Sequence, residues 1–249
     1  MCIRDRDDQA WHVPSAKCLH TITEDNNQVY ALDFDTVGGR FATAGRDCNI
    51  RIYDDATKSV IVTLASSLDR VPCFPTDTVH SGHSNRIFGL RYGVQRDMLL
   101  SGGWDNTVQL WDVRSQSAVL SIYGPHICGD ALDMAGNYIL SGSWRHEEQL
   151  QLWDIRTSQL VCTFPWPALG RDHEPCQVYA AQFSKSDNGA TVVAGGSGAN
   201  EVRAFSVETR KPIAALTLPK GIYGLDISTD GARIATAAGD HHVRVLEMP

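Results

Sequence analysis

Three side chains in the middle of the chain have the residue types needed for acyl transfer. His83, Ser101 and Asp105 could form a hydrolase triad, in which a carboxylate orients an imidazole that activates a hydroxyl. Ser101, however, belongs to a predicted strand that recurs along the chain without the histidine. It also lacks the sharp strand-to-helix turn that exposes a nucleophilic serine. We therefore interpret the set as structural hydrogen bonding and predict no catalytic residue and no enzyme activity.

Nine histidines and seven cysteines could provide metal ligands. His80 and His83 lie on a predicted loop, and no Cys-x-x-Cys pair or other zinc-site spacing is present. We therefore predict neither a metal ion nor a cofactor. An odd number of irregularly spaced cysteines favours a reducing compartment, so we expect the protein in the cytoplasm or the nucleus.

Ser101, Asp105 and Trp111 belong to a repeated unit. In the stretches 43–53, 101–111 and 236–246, a hydroxyl residue is followed four positions later by Asp and ten positions later by Tyr, Trp or Leu. Longer copies run over 141–153 and 194–205. Within a unit, short segments of alternating polarity predict four strands, as in Val29–Phe34, Arg40–Ala44, Asn49–Tyr53 and Ser59–Leu64. Such units must pack blade on blade around an axis, which predicts an all-β propeller.

One unit carries a complete set of signature residues: Ser81, Gly82, His83, Ser101, Asp105, Trp111 and Asp112. The set resembles a WD40 repeat, and Trp153-Asp154 closes a second unit in the same way. The resemblance extends over about residues 11–249. It implies a non-catalytic scaffold in which His83, Asp105, Ser101 and Trp111 form a buried structural relay, with Trp153 as the equivalent of Trp111.

The pattern predicts four complete four-stranded blades and a partial blade at each end. Complete units cover about 28–64, 86–122, 129–164 and 177–218, whereas 222–248 supplies three strands and Lys17–Thr23 supplies one. Joining the two partial blades would give a closed five-bladed ring. The alternative, which we favour, is part of a seven-bladed ring. Trp11 lies 42 residues before Tyr53, as though it ended the third strand of an earlier blade, and WD40 rings usually have seven blades. Residues 1–10 fit no strand and are interpreted as a non-repeat tail or an expression scar, and 11–249 as the propeller.

Aromatic and arginine side chains recur where a propeller would present them on one rim. Four aromatic residues share one position at the start of the first strands, and two further residues directly precede the signature Asp. The unit 129–164 offers Trp144 and Arg145 near the same position. Tyr, Trp and Arg dominate binding hot spots. The alternative is that the tyrosines pack between blades. The predicted partner-binding residues are Tyr30, Arg46, Phe88, Trp104, Tyr179 and Tyr223.

The expected partner is a protein or peptide within a multiprotein complex. With 22 basic and 29 acidic residues, the net charge is −7, which disfavours nucleic acid. No apolar run is long enough for a membrane span. Two long connections, 65–81 and 164–176, carry proline-framed aromatic residues. They would either add to the binding rim or fold down over the core.

Two further resemblances concern other parts of the propeller. Trp111-Asp112-Val113-Arg114 and Trp153-Asp154-Ile155-Arg156 resemble a motif of cullin-type ubiquitin ligase substrate receptors. This implies that Arg114 and Arg156 contact an adaptor on the opposite rim, unless they pair with a local carboxylate. Asp33, Asp133 and Asp226 occupy equivalent first-strand positions. They could line the axial channel and hold Ca²⁺, as in propeller hydrolases and lactonases, or bond to a neighbouring blade's backbone.

Overall fold

The computed structural model describes residues 7–65, 82–93, 97–166 and 175–248. Within these residues the chain forms 21 β-strands and one short 3-10 turn, Val13–Ser15. The strands form five blades and an N-terminal hairpin, all with antiparallel neighbours in chain order. The prediction of an all-β propeller is therefore confirmed.

The hairpin consists of β1 (Asp7–His12) and β2 (Lys17–Thr23). Blade 1 consists of β3 (Val29–Phe34), β4 (Arg40–Gly45), β5 (Ile50–Asp54) and β6 (Val60–Leu64). Blade 2 consists of β7 (Ile87–Tyr92), β8 (Met98–Gly103), β9 (Thr107–Asp112) and β10 (Ser117–Tyr123). Blade 3 consists of β11 (Leu132–Ala135), β12 (Tyr138–Gly142), β13 (Leu150–Asp154) and β14 (Gln159–Thr163). Blade 4 consists of β15 (Gln177–Phe183), β16 (Thr191–Ser197), β17 (Glu201–Ser206) and β18 (Pro212–Thr217). Blade 5 consists of β19 (Ile222–Ile227), β20 (Arg233–Ala238) and β21 (Val243–Glu247).

The four complete blades and the three-stranded last blade match the prediction. At the N-terminal end, β2 pairs with β1, the strand that contains Trp11, and not with β21. In the part of the chain that the structure describes, the clasp that would close a five-bladed ring is therefore not formed. Strand β1 begins at residue 7, before the boundary expected at residue 11.

A hydrophobic core lies at each junction between neighbouring blades. The core between blades 1 and 2 contains Ile52, Leu99 and Trp111, all almost completely buried. Similar clusters lie at the other three junctions. By contrast, Phe34 on blade 1 and Val245 on blade 5 are 54% and 65% exposed. Burial between blades therefore provides the apolar stabilisation that a single sheet cannot supply.

A β-bulge at the start of the first strand positions the rim aromatics. In blades 1, 2, 4 and 5 the pairing of the first and second strands shifts at one residue, leaving that residue without a partner. Bulges of this kind re-aim a side chain. The unpaired residues are Tyr30, Phe88, Tyr179 and Tyr223.

In blades 1 and 2 the residue that faces the start of the bulge is a glycine, whereas blade 5 has Ala238 at this position. At Gly103 a Cβ atom would lie 2.1 Å from the Arg86 carbonyl oxygen, and at Gly45 it would lie 1.9 Å from that of Gln28. Neither separation is possible for real atoms, so these glycines permit the close approach of two backbones. The repeated Gly before the loop is therefore part of what sets the aromatic side chains on the rim.

Candidate functional site

The structure brings together the four relay side chains of blade 2. His83 Nδ1 lies 2.8 Å from Asp105 Oδ2, and His83 Nε2 lies 2.7 Å from Ser101 Oγ. Trp111 Nε1 donates to the same Ser101 oxygen over 2.8 Å. Donation running from the indole through the hydroxyl and the imidazole to the carboxylate satisfies all four groups, which are buried.

This arrangement leaves no nucleophile for a substrate. Ser101 is fully buried, and its hydroxyl already contacts both His83 and Trp111. Burial favours the neutral form of Asp105, but the hydrogen bond and charge of His83 outweigh it, so the pKa of Asp105 is lowered. The relay connects the approach to the first strand with the second and third strands of blade 2.

Blade 1 contains a different relay that the sequence analysis missed. The buried carboxylate of Glu24 accepts hydrogen bonds from Asn27 (2.6 Å), Thr43 (2.5 Å) and Tyr53 (2.9 Å), and pairs with Arg51 at 2.8 Å. The separation of these residues along the sequence could have indicated this relay. Glu24 precedes Thr43 by 19 residues, whereas the blade 2 histidine precedes its serine by 18.

Blades 3 and 4 deviate further. In blade 3, Trp153 Nε1 donates to Ser141 Oγ over 2.9 Å. In blade 4, Trp166 donates to the buried Glu201 over 3.1 Å, and the Arg203 guanidinium pairs with Glu201 and lies over the Trp166 ring. Trp166 is only 8% exposed. This part of the long 164–176 connection therefore covers the core, while residues 167–174 and 66–81 lie outside the described residues.

The rim carries a continuous row of aromatic rings. Tyr30 stacks on Phe88 with ring centroids 4.6 Å apart, and Phe88 stacks on Trp104 at 4.9 Å. The row continues to His126 at 6.3 Å and from there to Trp144 at 6.4 Å. The side chains of Trp104 and Trp144 remain 37% and 39% exposed. Three blades thus present one aromatic surface, which we call the aromatic row.

Tyr179 and Tyr223 extend the aromatic surface to blades 4 and 5. Their rings meet edge to face at 5.0 Å, and Tyr223 is 53% exposed. Burial raises the pKa of Tyr179, while hydrogen bonds with Ser197 and Trp144 oppose this effect. Tyr179 is therefore adjacent to the end of the aromatic row at Trp144.

Arg46 lies in blade 1 at the position equivalent to Trp104 and Trp144. The backbone N–H of Arg46 bonds to the Gln28 carbonyl, as that of Trp104 bonds to Arg86 and that of Trp144 to His126. Arg46 is exposed. Trp144, which the sequence placed near this position, follows the blade 3 strand as Trp104 follows the blade 2 strand. His126 is the one member of the row that the sequence did not indicate.

Side chains facing the axis connect neighbouring blades. Asp33 Oδ2 accepts the Tyr92 N–H over 2.7 Å, and Asp133 Oδ2 accepts the Phe183 N–H over 2.8 Å. Between blades 2 and 3, Arg91 donates to both oxygens of Asp130 at 2.9 Å.

This pattern favours the interpretation of the first-strand aspartates as links between blades. Gln182 makes the equivalent bond to the Ile227 N–H of blade 5 over 3.3 Å, whereas the exposed Asp226 bonds to that N–H within its own strand. Burial raises the pKa of Asp33 and Asp133. Among the residues placed in the structure, no group of three or more His, Cys, Asp or Glu side chains could hold a metal ion.

Arg114 and Arg156 lie on the opposite rim, in the loops between third and fourth strands. Arg156 pairs with Asp154 at 2.8 Å, the local contact that was the alternative to adaptor binding. Arg114 lies 3.9 Å from Asp112 and is 84% exposed. The two motifs therefore differ, because among the described residues Arg114 makes only this long ion-pair contact and is more exposed than Arg156.

Comparison with known proteins identifies the repeats. The family model "WD domain, G-beta repeat" matches residues 16–54, 75–112 and 210–246. The first and last matches begin at the outer strands β2 and β18 and end in the third strand of the next blade, so that each sequence repeat is offset from a blade. The chain therefore carries WD40 repeats.

Several curated proteins are similar over nearly the whole chain. APC/C activator protein CDH1 of Saccharomyces cerevisiae is 22% identical over 91% of this chain and 44% of its own length. B-type cell cycle switch protein ccs52A of Medicago truncatula is 25% identical over 95% of this chain and 45% of its own. Transcription factor unc-37 of Caenorhabditis elegans is 24% identical over 92% and 33%. The chain thus spans less than half the length of these relatives.

No helix in the described ranges is long and apolar enough to cross a membrane.

Proposed function

We propose that this protein is a non-catalytic scaffold that binds a protein or peptide on the aromatic rim, within a multiprotein complex of the cytoplasm or nucleus. The observation that carries the proposal is the aromatic row from Tyr30 to Trp144, which stays partly exposed on one rim. A soluble domain gains nothing from exposing adjacent large rings, whereas a binding site does. The similarity to a protein named as an APC/C activator also supports a scaffold role.

The rings are already held in place before a partner binds. The bulges fix the backbone at Tyr30 and Phe88, and Trp104 Nε1 donates to Cys128 Sγ over 3.1 Å. A preorganised surface loses little conformational entropy on binding. This feature favours recognition of a specific segment over non-specific adhesion.

The experiment is affinity capture from a lysate of the expressing cells, followed by mass spectrometry, with three forms of the chain. We expect wild-type protein to retain a set of partners that Trp104→Ala and the double variant Tyr179→Ala, Tyr223→Ala lose. Melting temperature should be nearly unchanged in both variants. Retention of every partner by both variants would refute binding at this rim.

A second role on the opposite rim rests on Arg114. Its high exposure favours contact with a ligase adaptor, as the resemblance to substrate receptors implies. The test is co-purification of a cullin adaptor with wild-type protein and with Arg114→Ala, using Arg156→Ala as the matched control. Loss of the adaptor with Arg114→Ala alone is the expected result, and equal retention by all three forms would refute this role.

A further inference from the structure

Five of the described arginines have no described carboxylate within ion-pair distance, and they lie on both rims. Seven described arginines form ion pairs with aspartate or glutamate. The other five fall into two groups by loop position. Arg210 and Arg233 lie at the rim that carries Arg114. The remaining three, Arg46, Arg86 and Arg145, lie at the rim that carries the aromatic row.

Arg86 and Arg145 flank the exposed tryptophan of blade 2. The Arg86 guanidinium lies over the Trp104 ring, 5.3 Å from its centroid. Arg145 Nη2 donates to Asn106 Oδ1 over 3.1 Å, and His126 Nδ1 lies 2.8 Å from the same oxygen. A guanidinium has five N–H donors, and these contacts leave most of them available. The two cations are thus fixed beside the aromatic row with unused donors.

The signature carboxylates of this rim already have partners. Asp47 pairs with Arg51, Asp105 with the blade 2 histidine and Asp240 with Arg244. Three further described carboxylates of this rim are exposed without an ion pair: Asp25 in the loop before blade 1, and Glu147 and Glu148, which follow Arg145 in its loop. The rim therefore combines unpaired guanidinium groups with exposed rings, in a chain whose net charge is −7.

We infer that the rim of blades 2 and 3 binds an acidic peptide segment, with carboxylates on Arg86 and Arg145 and an apolar side chain on Trp104 or Trp144. The inference deepens the proposed function and rests on it. A guanidinium matches the two oxygens of a carboxylate, and the adjacent rings favour an aromatic or aliphatic neighbour. The overall negative charge repels acidic segments elsewhere on the surface, so the pairing also confines such a ligand to this site.

The experiment measures fluorescence anisotropy with the full chain and three labelled peptides of equal length. In the first, glutamates alternate with leucines around a central phenylalanine. In the second peptide, lysine replaces each glutamate. The third peptide contains phosphoserine instead of glutamate, at half as many positions, so that its net charge is similar to that of the first. We expect the glutamate peptide to bind at least about tenfold more tightly than the lysine peptide and to weaken as salt rises.

Variants locate the binding. Arg86→Gln and Arg145→Gln should each weaken the glutamate peptide by about fivefold or more, since each removes a charged partner. Arg210→Gln, which removes an unpaired arginine from the other rim, is the matched control and should change nothing. The double variant Glu147→Gln, Glu148→Gln should tighten binding by about twofold to threefold through reduced repulsion. Melting curves identify any variant that fails to fold.

Three outcomes would overturn the inference. These are tighter binding of the lysine peptide, a clear preference for the phosphoserine peptide, and equal weakening by Arg210→Gln. If partners captured from the lysate still depend on Trp104 in any of these cases, the proposed function stands and only the ligand chemistry is wrong. If capture is also independent of Trp104, both proposals fail.

Discussion

Blades 1 and 2 fill the same buried position with different chemistry. In blade 2 an imidazole bridges a carboxylate and a hydroxyl, so its centre, His83, both donates and accepts. In blade 1 the centre is Glu24, which only accepts, and each of its contacts is accordingly a donor. The fold therefore requires that the buried polar groups at this place all have hydrogen-bond partners, and it does not require a particular residue at the centre.

The two relays also differ in their apolar surroundings. Trp111 lies within the core between blades 1 and 2, whereas Tyr53 stacks on Phe41 at 4.9 Å. Phe41 in turn contacts Phe34, which is 54% exposed. Blade 2 therefore combines its relay with burial between two blades, and blade 1 depends more on the relay itself.

The largest expected effect comes from Trp111→Ala. We expect a loss of about 3–5 kcal/mol in the free energy of unfolding, because a large side chain leaves a packed core and Ser101 loses a donor. Urea denaturation followed by circular dichroism measures it. Trp104→Ala is the matched control, since it removes the same side chain from the exposed rim and should cost less than about 1 kcal/mol. Equal losses would show that the rim tryptophan is a core residue.

Glu24→Ala should cost nearly as much in blade 1, about 2–4 kcal/mol. The substitution leaves the buried donors of Thr43, Asn27 and Tyr53 without their acceptor, while Arg51 keeps Asp47. Glu24→Gln retains one acceptor oxygen and should recover part of the loss. An unchanged urea midpoint in Glu24→Ala would mean that the blade 1 network contributes nothing to stability.

Replacing the hydroxyl residue of each relay compares the stability contributions of the two networks directly. Ser101→Ala should cost about 1–3 kcal/mol, because both His83 and Trp111 lose their partner. Thr43→Val removes one donor from a carboxylate that keeps three others, so about 1 kcal/mol is expected. The same denaturation assay compares them. A larger loss of unfolding free energy for Thr43→Val than for Ser101→Ala would contradict this expectation.

Much of the fold could be predicted from the sequence, because alternation of polarity is a local signal. Strand β3 begins and ends at the predicted residues, and strands β4, β5 and β6 differ from the prediction by one residue at one or both ends. The pairing of β2 with β1 agrees with the position of Trp11, whose spacing to Tyr53 indicated the end of a third strand of an earlier blade. Glu24 was missed because a carboxylate there resembles a surface residue until its donors fold around it. His126 joins the aromatic row through contacts that no periodicity marks.

The smallest expected effect is a difference in the pH at which each relay weakens. The pKa of Asp105 is lowered in the folded state, so its stabilising contribution is complete above about pH 4, the ordinary range of Asp, and is lost as the pH falls further. Burial, followed by the hydrogen bond and charge of Glu24, raises the pKa of Tyr53. Its contribution is complete below about pH 10 and is lost as the pH rises.

Melting temperatures at pH 3–6 and pH 8–11 test this difference with two variants. Asp105→Asn should flatten part of the acid slope and leave the alkaline slope intact, and Tyr53→Phe should do the reverse. Differences from wild type are the informative quantity, because burial raises the pKa of Asp33 and Asp133 and these groups titrate in the same acid range. If Asp105→Asn altered only the alkaline slope, the two relays would not be the electrostatic opposites that their geometry indicates.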